Sequence, residues 1–266
     1  MTPGTARTRV KQGLARIPDP GPAAGMTMLI YHRVGGGSRD ERDLAVPAFH
    51  EHLRILAHHE VLGINEAWSR VQAGDLSPSV VLTFDDGFAD VYAHAWPVLL
   101  EHRVPFTLYL ATAYLGGTMH WDGSTATSAG PGLSWPQVEE MVGSGLATVG
   151  AHTHHHVRPE ALTVAELEAC DAAIEAHVGR RPAHFAYPWG IPVPAMSSEL
   201  RQRYRTAATG RLGRNTPGVD PILLRRVPVR RSDPRGFFAA KLTGSLHAER
   251  AYTRMVDAAK RVGLHA

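Results

Sequence analysis

The amino-acid sequence predicts an α/β fold built as a single (β/α) barrel. Short apolar segments, many of them β-branched, alternate with segments of helical periodicity along most of the chain, as in the βα units that build parallel sheets. No internal repeat and no linker of altered composition divides this alternation. Because 266 residues is the length of one barrel domain, we expect a single barrel over residues 26–266.

Seven segments are predicted as strands of this barrel. Most are short runs dominated by Val, Ile, Leu, Phe and Tyr, which is the composition of strands buried on both faces. The predicted strands are residues 28–31, 80–84, 105–110, 146–150, 184–187, 205–208 and 222–229. We therefore expect a seven-stranded barrel.

Seven segments between and after these strands are predicted as helices. The first carries an apolar face at Phe49, Leu53 and Leu56, and Pro97 is expected to kink the second. Thr163 opens the fourth with a capping box. The predicted helices are residues 47–59, 89–101, 135–141, 163–178, 194–203, 234–242 and 248–262.

Two segments are predicted to lack regular structure. Residues 1–25 are basic and end in a stretch rich in Pro and Gly, so we expect a flexible or loosely docked leader. Residues 112–134 are rich in Gly, Thr and Ser, with Trp121 in their midst. Long loops in compact domains are often functional, so this loop is a candidate part of a site.

Composition narrows the classes of function and the location. The net charge of +3 and the lack of a dense basic block give no argument for a nucleic-acid partner, and none is expected. The single cysteine, Cys170, forms no disulfide within the chain and is expected to be a packed, unreactive thiol. With neither a secretory signal nor a long apolar run, we expect a cytoplasmic protein. Weak docking of the basic leader to an acidic membrane surface is the alternative to a solvated tail.

The first motif with chemical potential ends the second predicted strand. Residues 80–87 read VVLTFDDG, so a buried strand runs directly into two adjacent carboxylates, Asp85 and Asp86. In barrels and open α/β sheets the chemistry lies where the strands end. Taken alone, the segment also fits an ordinary Asp-Asp-Gly turn.

A histidine cluster follows another predicted strand and favours a functional site over an ordinary turn. Residues 150–156 read GAHTHHH. His152 and His156 are four residues apart, so on a helical turn both imidazoles point the same way. Neutral imidazole is the commonest metal donor, and Asp86 as a third ligand leaves positions open for water and substrate. A polar loop rich in histidine by chance is the alternative.

Together the two motifs resemble the polysaccharide deacetylases, also called family-four carbohydrate esterases or NodB-homology domains. TFDDG at residues 83–87 pairs with HTxxH at 152–156, and YHRV at 31–34 and FAYPWG at 185–190 support the similarity. The resemblance covers residues 27–240. It implies a distorted (β/α) barrel, one bound divalent metal and removal of an N- or O-acetyl group from a sugar.

The resemblance also implies roles for individual residues. Asp86, His152 and His156 match the metal ligands of the family. Asp85 matches the general base, which takes a proton from water beside the metal. Zinc is the expected metal for such a set of N and O donors, with cobalt or nickel as alternatives.

Aromatic residues near these motifs are candidates for the oxyanion site and for sugar contacts. Trp189 occupies the aromatic position of the family, where its backbone N–H is expected to stabilise the oxyanion. Trp121, Tyr187 and Trp189 are expected to contact the substrate. A turn with core aromatics is the alternative for residues 187–190.

One family position is filled differently in this chain. Many members carry an arginine that orients the general base, whereas this sequence has Ala186 at that position. Arg225 or Arg226, on the last predicted strand, is expected to supply the missing charge. One of the two arginines fits a structural ion pair equally well.

The general acid is a second departure from the family pattern. Many members carry a late histidine for this role, but His247 lies too far along the chain and is expected in a surface loop. His32 closes the first predicted strand, so it should lie at the same rim as the metal ligands. We expect it either to protonate the departing amine or only to hydrogen-bond a loop or a metal ligand. His184 begins its strand and should face the opposite end of the barrel.

These observations favour a metal-dependent hydrolase that removes an N-acetyl group from an amino sugar. Since no secretion signal is recognised, the expected substrate is a cytosolic glycoside, a sugar-lipid or a glycosylated metabolite. A deformylase or another C–N hydrolase on the same scaffold is an alternative. So is a carbohydrate-binding barrel without catalysis, although the presence of all four motif residues favours the enzyme.

Overall fold

Seven parallel strands close into a barrel in the computed structural model, which describes residues 3–19, 21–124 and 129–261. In chain order the strands are β1 (Met26–Tyr31), β2 (Arg33–Val34), β3 (Asp43–Leu44), β4 (Ser79–Phe84), β5 (Phe106–Leu110), β6 (Thr118–Met119), β7 (Gly130–Pro131), β8 (Ala147–Ala151), β9 (His184–Ala186), β10 (Thr206–Leu212) and β11 (Leu224–Pro228). The barrel is formed by β1, β4, β5, β8, β9, β10 and β11, in that order around the ring. Each predicted strand overlaps one of these seven, and the predicted seven-stranded barrel is confirmed.

Helices pack around this barrel. They are α1 (Pro3–Leu14), α2 (Val46–Leu56), α3 (Ile64–Gln72), α4 (Trp96–Glu101), α5 (Trp135–Gly143), α6 (Val164–Val178), α7 (Ser197–Arg203), α8 (Arg235–Leu242) and α9 (His247–Arg261). A π-helical turn, Val91–Ala95, leads into α4. Pro97 has no N–H to donate to the preceding turn of the helix, and the hydrogen bonding there is π-helical instead of α-helical. The expected disruption of the helix near Pro97 is therefore confirmed. None of the described helices has the length and apolar character needed to cross a membrane.

Helix α3 is absent from the sequence predictions. It buries Ile64, Ala67, Trp68 and Val71, which recur at the spacing of one helical face. The signal was therefore present in the sequence, although the helix has no side-chain cap to mark its start.

The parallel register brings the carboxyl ends of the strands to one rim. Tyr31 of β1 pairs with Phe84 of β4, and Ala151 of β8 pairs with both Leu110 of β5 and Phe185 of β9. The residues that follow these strands must therefore lie close together in space. This is the rim at which barrel enzymes carry their chemistry.

Alternation along the strands separates the barrel interior from the outer layer. Val80 and Phe84 belong to the large hydrophobic cluster that β4 shares with the helices. Val81 belongs to a second cluster with Met28 and Tyr109. Successive side chains of a strand point to opposite faces, so every second residue of β4 faces the interior.

The long loop predicted over residues 112–134 contains the short antiparallel pair of β6 and β7. Its end is held against the rim, because the Leu133 N–H donates to the Gly87 carbonyl at 2.8 Å. Residues 125–128 of this loop lie outside the described residues.

The single cysteine, Cys170 of α6, is fully buried, and burial raises the pKa of its thiol to about 12. The prediction of a packed cysteine is confirmed, and the raised pKa supports the expectation that its thiol is unreactive.

The expectation of a flexible leader is wrong for the described part of residues 1–25. Residues 3–14 form α1, which contacts α8 and α9. Lys11 is fully buried, and its Nζ donates to the Ser232 hydroxyl and the Asp233 carboxylate at 2.6 Å each. The basic residues that suggested a solvated tail therefore include an anchor, because a buried ammonium is tolerated when it is paired.

Asp233 is the centre of this buried ion network. Its second oxygen lies 3.2 Å from Lys241 Nζ and accepts the Arg230 backbone N–H at 2.9 Å. Lys241 in turn pairs with Glu249 of α9. One carboxylate thus compensates two buried ammonium groups that belong to different helices.

Replacing Asp233 by Asn is expected to destabilise the fold strongly. Lys11 and Lys241 lose the carboxylate they share, and breaking a buried ion pair on one side costs about 3–5 kcal/mol of unfolding free energy. Urea unfolding measures the loss. The control is Asp122→Asn, which removes an ion pair with Arg158. The side chain of Asp122 is 92% exposed. That change should cost at most about 1 kcal/mol, and equal losses in the two variants would contradict the importance of the network.

Candidate metal centre and catalytic site

A cavity of about 230 Å³ opens at the carboxyl rim of the barrel. Most of the residues predicted for the site from the sequence line it. The lining comprises Ile30, His32, Arg42, Asp85, Asp86, His152, His156, Trp189, Gly190, Gly210 and Arg226. The two sequence motifs, which lie 65 residues apart or more, therefore meet in one site.

Asp86, His152 and His156 converge with the geometry of a metal centre. Asp86 Oδ1 lies 3.5 Å from His152 Nε2 and 3.4 Å from His156 Nε2, and the donor atoms of all three lie within 4.8 Å of one another. Donors held tetrahedrally at about 2.0–2.1 Å from a zinc ion are separated by about 3.4 Å. Asp86 Oδ2 is buried without a hydrogen-bond partner among the described residues. The three residues therefore fit one small divalent cation.

The protonation states suit ligation. Burial lowers the pKa of His156 to about 3, so this imidazole is neutral near pH 7 and has a lone pair to donate. Burial alone would raise the pKa of Asp86, but the neighbouring His152 and His32 outweigh it and the pKa is lowered. A carboxylate and a neutral imidazole are the forms in which these side chains bind metals.

The backbone at the site is left-handed at four non-glycine residues. Asp86, Thr153, His156 and Trp189 have φ values of 74°, 65°, 49° and 62°. Such conformations are uncommon outside glycine and cost about 1–3 kcal/mol each. The expected helical turn over residues 152–156 is therefore wrong. The two histidines reach the same point because an irregular loop, rather than a helix face, directs them there.

Arg226 fixes the orientation of Asp85. Its Nη1 donates to Asp85 Oδ1 at 2.7 Å, and its Nε donates to the Thr209 carbonyl at 3.0 Å. Burial acts to raise the pKa of Asp85, but the charge and the hydrogen bond of Arg226 outweigh burial and hold the pKa below its ordinary value. The carboxylate is therefore ionised, as a general base must be.

The two arginines considered from the sequence point to opposite faces of β11. Arg226 is 1% exposed and lies in the barrel interior, whereas Arg225 is exposed to solvent. Adjacent residues of a strand always face opposite sides. The structure thus brings Arg226 to the position beside Asp85 and does not bring Arg225 to the site.

His32 follows β1 and lines the cavity, as expected from its place in the sequence. Its Nδ1 is buried and has no hydrogen-bond partner among the described residues. Burial lowers the pKa of His32, and the charges of Asp86 and Asp85 only partly oppose this. His32 is thus available for an interaction that the described side chains do not provide.

The sequence predictions missed one charged pair in the cavity wall. Arg42 lines the cavity, and Asp40 holds its guanidinium through two hydrogen bonds of 3.1 and 2.8 Å. The pair reaches the rim because β2 and β3 pair in parallel and fold the connecting loop over it. No motif marks these residues in the sequence, since only the folded loop makes them neighbours of Asp86.

Trp189 stands at the mouth of the cavity, where its side chain is 39% exposed. Gly190, which follows it, has a φ of 68°, and a Cβ there would lie 2.7 Å from the backbone of Gly210. Glycine is needed at this close approach. The contact presses the turn that carries Trp189 against β10.

Two of the residues predicted to contact substrate, Tyr187 and Trp121, have buried side chains. Tyr187 is 1% exposed and packs against Phe185 with a ring-centroid distance of 5.2 Å, and burial raises its pKa to about 12. Trp121 is 4% exposed and lies against His156, with the ring centroids 4.1 Å apart. Residue type alone did not distinguish aromatic side chains that pack in the core from those exposed for contact with a sugar.

His184 is placed as expected from the sequence, whereas His247 is exposed but belongs to a helix and not to the expected surface loop. His184 lies at the start of β9, away from the rim, where its ring contacts Thr206 and Asn65. His247 is exposed at the start of α9. His32 is therefore the one of these three that lines the cavity.

The fold and this site together correspond to one class of barrel proteins. A closed parallel barrel carries an Asp-Asp pair and two histidines at its carboxyl rim, as the motif resemblance implies. A sequence profile described as polysaccharide deacetylase matches residues 73–207. The chain belongs to the polysaccharide deacetylase family, and the resemblance is confirmed.

Comparison with individual proteins agrees with this membership. The structure of IcaB from Ammonifex degensii is 30% identical in sequence, with a TM-score of 0.70 over 82% of this chain and 97% of that chain. YxkH of Bacillus subtilis, named as a polysaccharide deacetylase, is 29% identical over 147 residues, or 53% of this chain and 46% of its own. Poly-beta-1,6-N-acetyl-D-glucosamine N-deacetylase of Staphylococcus epidermidis is 34% identical over 76 residues, 29% of this chain and 24% of its own. The matches therefore span less than half the length of these two sequence relatives.

Replacing Arg226 by Gln is expected to move the acidic limb of the pH profile of kcat/KM to higher pH. The arginine holds the pKa of Asp85 down, so its loss raises that pKa and the base is protonated at a higher pH. The shift is measured as acetate release from an N-acetylated sugar oligomer between about pH 4 and pH 9. This range spans the ordinary pKa values of carboxyl and imidazole groups, about 4 and 6.5. Arg225→Gln, on the exposed face of the same strand, is the matched control and should leave the limb in place. An unmoved limb in Arg226→Gln would show that this ion pair does not set the pKa of the base.

Proposed function

We propose that the protein is a metal-dependent hydrolase that removes the N-acetyl group from an amino sugar. The observation that carries the proposal is the convergence of Asp86, His152 and His156 beside the ionised Asp85 in one cavity. The N and O donor set suits Zn²⁺, with Co²⁺ or Ni²⁺ as alternatives. When bound, the metal ion supplies polarisation of the acetyl carbonyl and a lowered pKa for water.

Asp85 is proposed to accept the proton of the attacking water. Its carboxylate is ionised and held in one orientation by Arg226. The contact of Arg226 is with Oδ1, which leaves Oδ2 as the oxygen to receive the proton. General-base catalysis by a positioned carboxylate contributes about 10²–10⁴ in rate.

Trp189 is proposed to donate its backbone N–H to the oxyanion of the tetrahedral intermediate. Its turn lies at the cavity mouth and is fixed against β10 by the close approach of Gly190 and Gly210. Donors that are fixed before the reaction stabilise developing negative charge without reorganising. The exposed indole face of the same residue offers an apolar surface on which a sugar ring can pack.

His32 is the proposed general acid for the departing amine. It lines the cavity, and its Nδ1 is buried without a partner among the described residues. This arrangement supports the acid role over the alternative of a hydrogen bond to a loop. A proton taken up at the imidazole is within reach of a leaving group bound in the same cavity.

The proposed substrate is an N-acetylglucosamine type of residue in a carbohydrate or glycosylated molecule. A cavity of about 230 Å³ is smaller than the roughly 300–1,000 Å³ typical of pockets for drug-sized ligands, which suits one acetylated sugar unit. The name of the Staphylococcus epidermidis relative specifies an N-acetylglucosamine polymer as the substrate of that protein. A cytoplasmic location and a small cytosolic glycoside remain predictions.

The proposal predicts that acetate release depends on one bound metal ion. Protein stripped with a chelator should lose the activity on N-acetylglucosamine oligomers, and Zn²⁺ should restore it with about one ion per chain. His152→Ala should lose the metal and the activity together. Asp85→Asn should keep the metal but lose about 10²–10⁴ in kcat, because the amide preserves the shape and cannot accept the proton.

Other outcomes of the same assay identify the alternatives. Release of formate from an N-formyl substrate, without release of acetate, would show a deformylase. Saturable binding of the oligomers with no product from any metal-loaded sample would indicate a carbohydrate-binding barrel. Full activity in chelated protein, with metal absent by elemental analysis, would overturn metal dependence.

Replacing His32 by Gln is expected to remove the alkaline limb of kcat/KM and much of the rate. The pKa of His32 in the protein lies below its ordinary value, so the limb should fall below about pH 6.5 in the wild-type protein. Above that pH the acid form is depleted and kcat/KM declines. Glutamine keeps hydrogen-bonding capacity without titrating, so an unchanged bell-shaped profile in this variant would reject His32 as the acid.

A further inference from the structure

The two histidines of the proposed metal centre are supported in different ways. His152 Nδ1 lies 2.7 Å from the Ala186 carbonyl, to which it donates, so Nε2 carries the lone pair that faces Asp86. Metal-binding histidines almost always have such an acceptor for the second ring nitrogen. His156 Nδ1 is buried and has no hydrogen-bond partner among the described residues. Among the described residues, no hydrogen bond to Nδ1 orients this imidazole.

The ring of His156 is covered by aromatic side chains instead. Trp121 lies closest, with the ring centroids 4.1 Å apart and the planes at 36°. Trp189 lies farther away, at 5.4 Å and 58°, and is 39% exposed. The ring of His152 also lies against that of His156, with the centroids 4.9 Å apart and the planes at 67°, so the indole of Trp121 is the nearest of the three rings.

Trp121 is itself rigidly held. Its backbone N–H donates to the Ser124 hydroxyl at 3.1 Å, and its carbonyl accepts from the same hydroxyl at 2.7 Å. The indole is 4% exposed and packs between Phe88 and Tyr114, with ring centroids at 6.2 and 5.8 Å. The surface against which the imidazole lies is thus fixed before any ligand binds.

We propose that Trp121 is a positioning residue that holds His156 in the metal-binding orientation by ring contact, in place of the usual hydrogen bond. The inference rests on the proposed metal centre. Groups that orient metal-binding side chains typically contribute about 10- to 100-fold in metal affinity. Removing the indole should therefore weaken the metal affinity of a protein whose three ligands are all intact.

The test is Zn²⁺ affinity, measured by competition with a chromophoric chelator on the folded full-length protein. Trp121→Leu should bind Zn²⁺ about 10- to 100-fold more weakly than the wild type, whereas Trp121→Phe, which keeps a flat ring, should recover most of the affinity. The absorption spectrum of the Co²⁺-loaded protein should change in Trp121→Leu and not in Trp121→Phe, because it reports ligand geometry. If Trp121→Leu does not fold, Trp121→Met takes its place with the same expected loss.

The chain offers a matched control in a second tryptophan–histidine contact. Trp135 stacks on His177 with the centroids 4.2 Å apart and the planes at 7°, and neither residue lines the cavity. Trp135→Leu should leave Zn²⁺ affinity unchanged. Equal affinity in Trp121→Leu and the wild type, or a raised KM for substrate with unchanged Zn²⁺ affinity, would overturn the positioning role. Failure of the wild type to bind Zn²⁺ would instead reject the proposed metal centre.

Discussion

The ion pair between Arg226 and Asp85 is the interaction on which the rest of the site depends. Both side chains are buried, at 1% and 3% exposure, where an unpaired charge would cost several kcal/mol. Arg226 also binds the Thr209 carbonyl and the Thr83 hydroxyl, so it connects β11 with β10 and β4 inside the barrel. These contacts require three strands in register. Closure of the barrel and orientation of the proposed base are therefore one structural event.

The sequence predicts the parts of the molecule that depend on local pattern. Buried strands of a parallel sheet are continuous apolar runs, so all seven barrel strands could be located, and the residues after them could be placed at one rim. Asp86 and His152 lie within two residues of the ends of β4 and β8, which is why the sequence predicts that Asp86, His152 and His156 meet at one rim. The backbone conformation of residues 152–156 was not predicted, because the left-handed conformations of Thr153 and His156 do not change the periodicity of the sequence.

Contacts that exist only in the folded chain could not be predicted from the sequence. The choice between Arg225 and Arg226 depends on which face of β11 points inward, and a register shift of one residue would reverse it. Trp121 and Tyr187 have the composition of sugar contacts, yet their neighbours in space bury them. Arg42 belongs to no sequence motif, because the other residues that line the cavity with it come from strands distant in sequence. In each case the missing information is the depth of a side chain, which residue type alone does not specify.

The N-terminal helix reaches the proposed site through the loop that carries Arg42. Lys11 of α1 donates to the Ser232 hydroxyl, which donates to the Glu41 carboxylate. The Arg231 backbone N–H donates to the Glu41 carbonyl at 2.7 Å, and the next residue, Arg42, lines the cavity. Lys11 and Ser232 are buried and Glu41 is half-buried, where hydrogen bonding matters most. The wall of the cavity therefore depends on a helix that, by composition, resembles a solvated tail. The buried ammonium of Lys11 is what makes that helix part of the fold.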